Sequence, residues 1–229
     1  MLELREALRI YKENIYKIFI LGLTVMLPVQ ILLTLSSNYF YFNLGMLDLL
    51  FIADLINGIF VLISVSVLSI PFIQLSKNSY LDGEPSLSST FDALMKYMFP
   101  VYVIGVLYAL GVALGMFAFI IPGILISVLF LAFPFVFVVE EEKSWKESLK
   151  RSIDFGKSNF KSLLLVVVLF GLMEWVISMT VTVGTNLFTG SYLIIVIMNF
   201  LASIFYYPLF YIFVTIKYLD WTGMDVLNR

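Results

Sequence analysis

The sequence predicts an all-α integral membrane protein that crosses the bilayer six times, and three observations carry that prediction. The composition is too apolar for water, six runs are long enough to span, and the basic residues fall in alternate connections only. Of the 229 residues, 61% are apolar and 13% are charged, with a mean hydropathy of +1.01. A soluble domain carries about a quarter charged residues, and no core that this chain could enclose would hide so much hydrocarbon. Lipid is therefore the expected solvent.

A hydrocarbon layer of about 30 Å needs roughly 20 apolar residues in helical form. Such runs occur near 17–36, 50–74, 99–120, 123–139, 160–184 and 192–217. The runs are apolar throughout, which excludes barrel strands, where apolar and polar residues alternate. The third and fourth almost touch, and Ile121-Pro122-Gly123 between them reads as a tight turn at the membrane surface. The first run is expected to be retained, because Glu3, Glu6 and Glu13 among Arg5, Arg9 and Lys12 do not make the short basic leader of a cleaved signal.

Orientation follows from the basic residues. The N-terminal segment holds Arg5, Arg9, Lys12 and Lys17, and the second connection holds Lys77 and Lys96. Lys143, Lys146, Lys150, Arg151, Lys157 and Lys161 fill the fourth, and Lys217 and Arg229 lie in the tail. These are all 14 basic residues, and the connections near 37–49, 121–123 and 185–191 hold none. Both termini are expected in the cytoplasm.

The six spans also read as three repeats, 1–82, 87–140 and 143–220, each a surface amphipathic helix followed by a hairpin. The surface segments contain Arg5-Glu6-Ala7-Leu8-Arg9, Phe91-Asp92-Ala93-Leu94-Met95 and Lys146-Glu147-Ser148-Leu149-Lys150. Two open on capping boxes, Ser89-x-x-Asp92 and Ser144-x-x-Glu147. The second span of each pair carries a proline, Pro71, Pro134 or Pro208, expected to kink its helix. Each kink frees a carbonyl four residues earlier, at Val67, Phe130 and Ile204. Such amphipathic helices lie in the headgroup plane with lysines at the lipid phosphates.

Ile121-Pro122-Gly123-Ile124, Pro134, Val139-Glu140, Trp145, Glu147-Ser148-Leu149-Lys150-Arg151-Ser152 and the closing Tyr218-Leu219-Asp220 together resemble a family signature. It is that of the glycerophosphoryl diester phosphodiesterase membrane-domain family and its YciC-like relatives. The resemblance implies a multi-span protein of a bacterial or archaeal cell membrane. It does not imply the phosphodiesterase activity, whose soluble catalytic domain has no counterpart in this sequence.

Chemistry-bearing residues are few. With no cysteine and no histidine, thiolate sites, disulfides and imidazole bases are excluded, and no cofactor or metal box is recognisable. A net charge of −2 gives no footprint for nucleic acid. Glu174 is the one ionisable residue well inside a span, about 14 residues or roughly 21 Å from its start at ~1.5 Å per residue. An intramembrane carboxyl is costly and marks either a ligand or proton site or a neutral tie between helices. Gly171, Ser178 and Thr182 share its face, while Gln30, Ser127 and Ser203 fall near its depth and Asn57 and Asn199 above it. Gln30, Glu174, Ser178, Asn199 and Ser203 are thus the expected polar layer. Gly111-x-x-x-Gly115 permits a close helix contact, and Glu140-Glu141-Glu142 suits the start of the third surface helix. Asp48 and Asp54 are expected in solvent on the opposite face.

The expectation is a non-enzymatic membrane module that binds lipid, another membrane protein or a second copy of itself. The alternative is a transporter or export/immunity factor moving a small amphipathic molecule, peptide or lipid through the polar layer.

Overall fold

The computed structural model describes residues 2–83, 85–142 and 144–224; Lys143 and Arg229 lie outside them. Ten α-helices occur there, with no strand among the described residues. They are α1 (Leu2–Glu13), α2 (Ile15–Leu21), α3 (Leu27–Gly45), α4 (Leu50–Leu81), α5 (Leu87–Ala118), α6 (Ile120–Leu129), α7 (Phe133–Val139), α8 (Trp145–Ser158), α9 (Phe160–Asn186) and α10 (Tyr192–Thr222). A π-helical turn, Gly22–Met26, joins α2 to α3. Six segments are long and apolar enough to span a membrane: Ile15–Gly45, Leu50–Leu81, Leu87–Ala118, Ile120–Val139, Phe160–Asn186 and Tyr192–Thr222. This is the expected six-span membrane protein.

Several boundaries differ from the sequence reading. The turn between the third and fourth spans falls at Phe119 alone, whose backbone is extended (φ −161°, ψ 146°). Ile121-Pro122-Gly123 lies inside the first turn of α6, where a proline's missing N–H costs nothing because that donor has no helical partner anyway. α4 continues to Leu81 and α10 to Thr222, so Lys217 belongs to a helix and not a tail. α5 begins at Leu87, which makes Phe91–Met95 the first turns of the third span and not a separate surface helix. Ser89 therefore caps nothing: its hydroxyl donates to Ser86 O at 2.8 Å and accepts from Asn78 Nδ2 at 2.9 Å. At Ser144 only half of the box forms: the hydroxyl accepts from Glu147 N at 3.4 Å, while Ser144 N donates to Glu142 and not to Glu147.

The two separate surface helices end in the same corner. Asn14 (φ −113°, ψ 17°) follows α1 and Asn159 (φ −117°, ψ 15°) follows α8. Each side-chain amide donates to the carbonyl four residues back, Ile10 O at 3.0 Å and Phe155 O at 3.3 Å. A short amide can close a broken helix turn in this way while the chain changes direction.

The prolines behave in two ways. Pro71 and Pro208 sit inside continuous helices, as does Pro100, which the sequence reading passed over. Pro134 kinks nothing. It opens α7 after the fourth span breaks at 130–132, again at a position that tolerates proline. Phe130 O is taken by Phe133 N at 3.3 Å within that break. Side-chain donors instead reach carbonyls nearby: Tyr211 Oη to Val65 O at 3.1 Å, Ser152 Oγ to Leu129 O at 3.1 Å and Tyr11 Oη to Phe205 O at 2.8 Å. In lipid, a loosened helix needs such partners from its neighbours.

The proline-bearing spans form the interior. Phe72 of α4 stacks on Tyr211 of α10 at 5.8 Å, and Phe135 of α7 meets Tyr218 of α10 at 6.3 Å. The surface segments pack against these spans. α1 packs on α10, the start of α5 on α4, and α8 on α6 and α7. The Gly111/Gly115 seam serves this chain's own packing: Gly115 lies against Gly123 so closely that a Cβ would stand 2.9 Å from the Gly123 backbone.

Candidate functional site

Packing is uneven along the membrane normal, and the unevenness makes the site. α9 leans mainly on α10 and buries only Leu163. It thereby leaves a partly open cavity of about 550 Å³ between itself, α4, α5, the fourth span and α10. Its wall is mostly apolar and includes Val61, Leu62, Val112, Val167 and Phe170. Gly58 and Gly171 face it from opposite sides, and a Cβ at either would meet no atom within 4 Å.

Glu174 lines this cavity. Its Oε1 accepts from Tyr207 Oη at 2.5 Å. Tyr207 stands immediately before Pro208, next to Tyr206 (rings 4.6 Å apart) and one turn from Tyr211 (6.5 Å, nearly parallel). The carboxyl therefore sits at the edge of a tyrosine wall on α10.

The expected polar layer divides into three. Gln30 pairs with Ser203 across α3 and α10, donating at 2.7 Å and accepting at 3.1 Å. Ser178 donates to Asn199 Oδ1 at 2.9 Å, and Asn199 donates to Thr182 Oγ1 at 3.2 Å. Glu174 joins neither pair. It shares the α9–α10 seam with Ser178 and Asn199 but meets tyrosine, while Ser203, one turn before Tyr207 on α10, pairs with Gln30 of α3. Depth from the sequence placed these residues at similar heights; on α10 the successive turns at Asn199, Ser203 and Tyr207 each take a different partner, Ser178, Gln30 and Glu174. Tyr206, Tyr207 and Tyr211 were not singled out from the sequence, although paired tyrosines before a proline within an apolar run are the signal that could have done so.

A second polar cluster gathers residues of the family-like signature. Arg151 of α8 reaches Glu140 with Nε to Oε2 at 3.0 Å and Nη2 to Oε1 at 3.0 Å. Tyr218 Oη donates to the same carboxylate, and the guanidinium lies 5.1 Å from the Trp221 ring. Glu141, at positive φ (55°), pairs with Lys77 at 3.2 Å and Lys96 at 3.5 Å. The hydrogen bond and charge of Lys77, with Lys96 behind, hold its carboxyl below the usual carboxylate range. Glu142 accepts from Ser144 N at 2.7 Å. The three acids are thus three tethers and not simply a solvated helix start. On the opposite face, Asp54 is not left to solvent alone, since Tyr41 Oη donates to it at 2.5 Å.

No group of acidic residues that could hold a metal occurs among the described residues. No family model matches the chain, and no curated protein or solved structure matches it either.

Proposed function

We propose that this chain is a non-enzymatic membrane protein that holds a membrane lipid, or a lipid-like amphipath, in the cavity beside Glu174. The cavity is the observation that carries this reading. Its volume of about 550 Å³ suits a drug-sized ligand or an acyl chain, and a mostly apolar wall with a few convergent polar groups is the usual make-up of a ligand site. Glu174 supplies orientation at one end, and the hydrocarbon walls take the tail.

The test is native mass spectrometry of the purified protein beside its Gly171→Trp variant. The glycine faces open space, so the indole should fill the cavity without disturbing the backbone. A bound lipid present in the wild type and absent from a folded variant supports the reading. Equal lipid in both would abolish it.

A carrier reading draws on the same cavity and on the prolines inside α4, α5 and α10. It requires that reconstituted protein move a labelled amphipath between leaflets, and that Gly171→Trp stop the movement. Three further proposals accompany the main one. The basic-residue asymmetry favours both termini in the cytoplasm, in the cell membrane of a bacterium or archaeon as the family resemblance implies. Cysteines replacing Lys77 and Lys157 should then react only from the cytoplasmic side and one at Ser191 only from outside. The packing of α1 on α10, α5 on α4 and α8 on the fourth span, with the shared Asn14 and Asn159 corners, supports a threefold internal repeat. The lysine-bearing face of α8 suits the headgroups of anionic lipid.

A further inference from the structure

The wall of the cavity is chemically one-sided. Seven hydroxyl groups line it, those of Ser66, Ser69, Ser127, Tyr108, Tyr206, Tyr207 and Tyr211. Six of the seven already spend their proton. Ser66, Ser69 and Ser127 donate to Leu62 O, Ser66 O and Ile124 O of their own helices, at 2.8, 2.7 and 2.8 Å. Tyr108 and Tyr211 donate to Ser127 O and Val65 O, each at 3.1 Å. Tyr207 donates to Glu174. What these groups still offer an incoming molecule is lone pairs, since a hydroxyl has one proton and two acceptor sites.

No lysine or arginine stands among the lining residues, and the one ionisable acid there is Glu174. An anionic head in this place would lose its water and find no cation and scarcely a donor, which is prohibitive. A cationic head would find the reverse. The Glu174 carboxylate supplies charge, and the tyrosine rings of α10 supply aromatic faces, the partners that ammonium groups take in aromatic cages.

We propose that the cavity selects amphipaths with a positively charged ammonium head, seated between Glu174 and the tyrosine wall with the alkyl tail toward Val61, Leu62 and Val167. This rests on the reading that the cavity holds an amphipath at all. It adds the sign of the head, which that reading leaves open. The ammonium can belong to a free amphiphilic amine or to a lipid headgroup.

The experiment measures binding of decyltrimethylammonium and of decyl sulfate to the whole protein in phosphatidylglycerol nanodiscs, with empty nanodiscs subtracted. The cation is expected to bind saturably and the sulfate not to. Glu174→Gln keeps an acceptor for Tyr207, so it should stay folded while weakening the cation about tenfold or more. Glu174→Asp keeps the charge and should retain the preference, which guards against a folding defect in the amide variant. Repeating the titration in phosphatidylcholine nanodiscs separates the sources. Loss of probe binding assigns the site to the lipid's own trimethylammonium group, retention assigns it to free amines, and both agree with the proposal. Equal binding of sulfate and cation, or full cation binding by a folded Glu174→Gln protein, overturns it. Failure of the lipid-holding reading looks different: neither probe would saturate, and Gly171→Trp would change nothing.

Discussion

The half of the bundle that carries the basic residues and the half opposite are built by different rules. In the basic half every residue of α7 from Phe133 to Val139 is buried, and α10 buries most of its residues from Tyr211 to Leu219. Ion pairs tie its elements together: Arg151–Glu140, Lys77–Glu141 and Lys217–Glu3 at 3.2 Å. In the opposite half α3 buries nothing, and α9 buries only a residue near its basic-side start. The helices there meet through isolated pairs such as Ser37–Asn57 at 2.6 Å and Ser178–Asn199. Lipid explains the tolerance. Apolar side chains facing acyl chains give up nothing by being exposed, so no hydrophobic force closes that half. At the basic face, elements that reach the interface must satisfy polar ends and charges. The cavity lies where the two halves meet, with Pro134, Phe135 and Tyr211 of the packed half at one end and Gly58, Met116 and Glu174 toward the splayed one.

This contrast is open to breakage. The largest effect is expected from Phe155→Ala in α8. Phe155 is fully buried, with Tyr218 and Trp221 rings 5.0 and 5.4 Å away, and its removal should destabilise by about 3–5 kcal/mol. A fall in thermal midpoint in detergent by only a degree or two would deny that the basic half is the stable one. Glu140→Gln is next, at about 1–2 kcal/mol, because the amide still accepts from Tyr218 while the partly exposed Arg151 loses its charged partner. Chemical denaturation resolves a change of that size.

In the splayed half Asn199→Leu should cost about 0.6 kcal/mol, as measured ties between membrane helices average. A loss as large as that of Phe155→Ala would erase the difference between the halves. The smallest effect is pH dependence through Glu141. Lys77 and Lys96 lower its folded pKa, so their pairing stabilises above the unfolded carboxylate range and fades as pH falls through the folded value. With the Glu141 side chain 60% exposed, the effect should stay under about 1 kcal/mol. Stability measured down the acid limb should show that loss in the wild type and not in Glu141→Gln.

Much of this fold was legible because the bilayer imposes it on the chain one segment at a time. A run of apolar residues must be helical in lipid to satisfy its own backbone, so composition and run length predicted six spans without reference to any neighbour. The ends were less legible. Phe91–Met95 has the same amphipathic pattern as Lys146–Lys150, yet one continues into its span and the other breaks from it. The difference lies at the corner, where Asn159 closes the turn while α5 runs on unbroken through Pro100.

The geometry of the candidate site belonged to the tertiary structure. Glu174 could be picked out alone, because a carboxyl inside hydrocarbon is conspicuous wherever it stands. Its partners could not. Gln30, Ser178, Asn199 and Ser203 share its approximate depth, but depth is one coordinate and contact needs three, and the packing of α9 on α10 set Tyr207 beside it instead. Arg151, Glu140 and Tyr218 were each visible in short motifs up to 78 residues apart, and only the packing of α8 and α10 beside α7 brought them together. The sequence by itself determined solvent, element type and the number of crossings, since these depend on the energy of each segment in lipid. Which side chains meet, and that a cavity opens beside Glu174, depended on how helices already satisfied in themselves were set against one another.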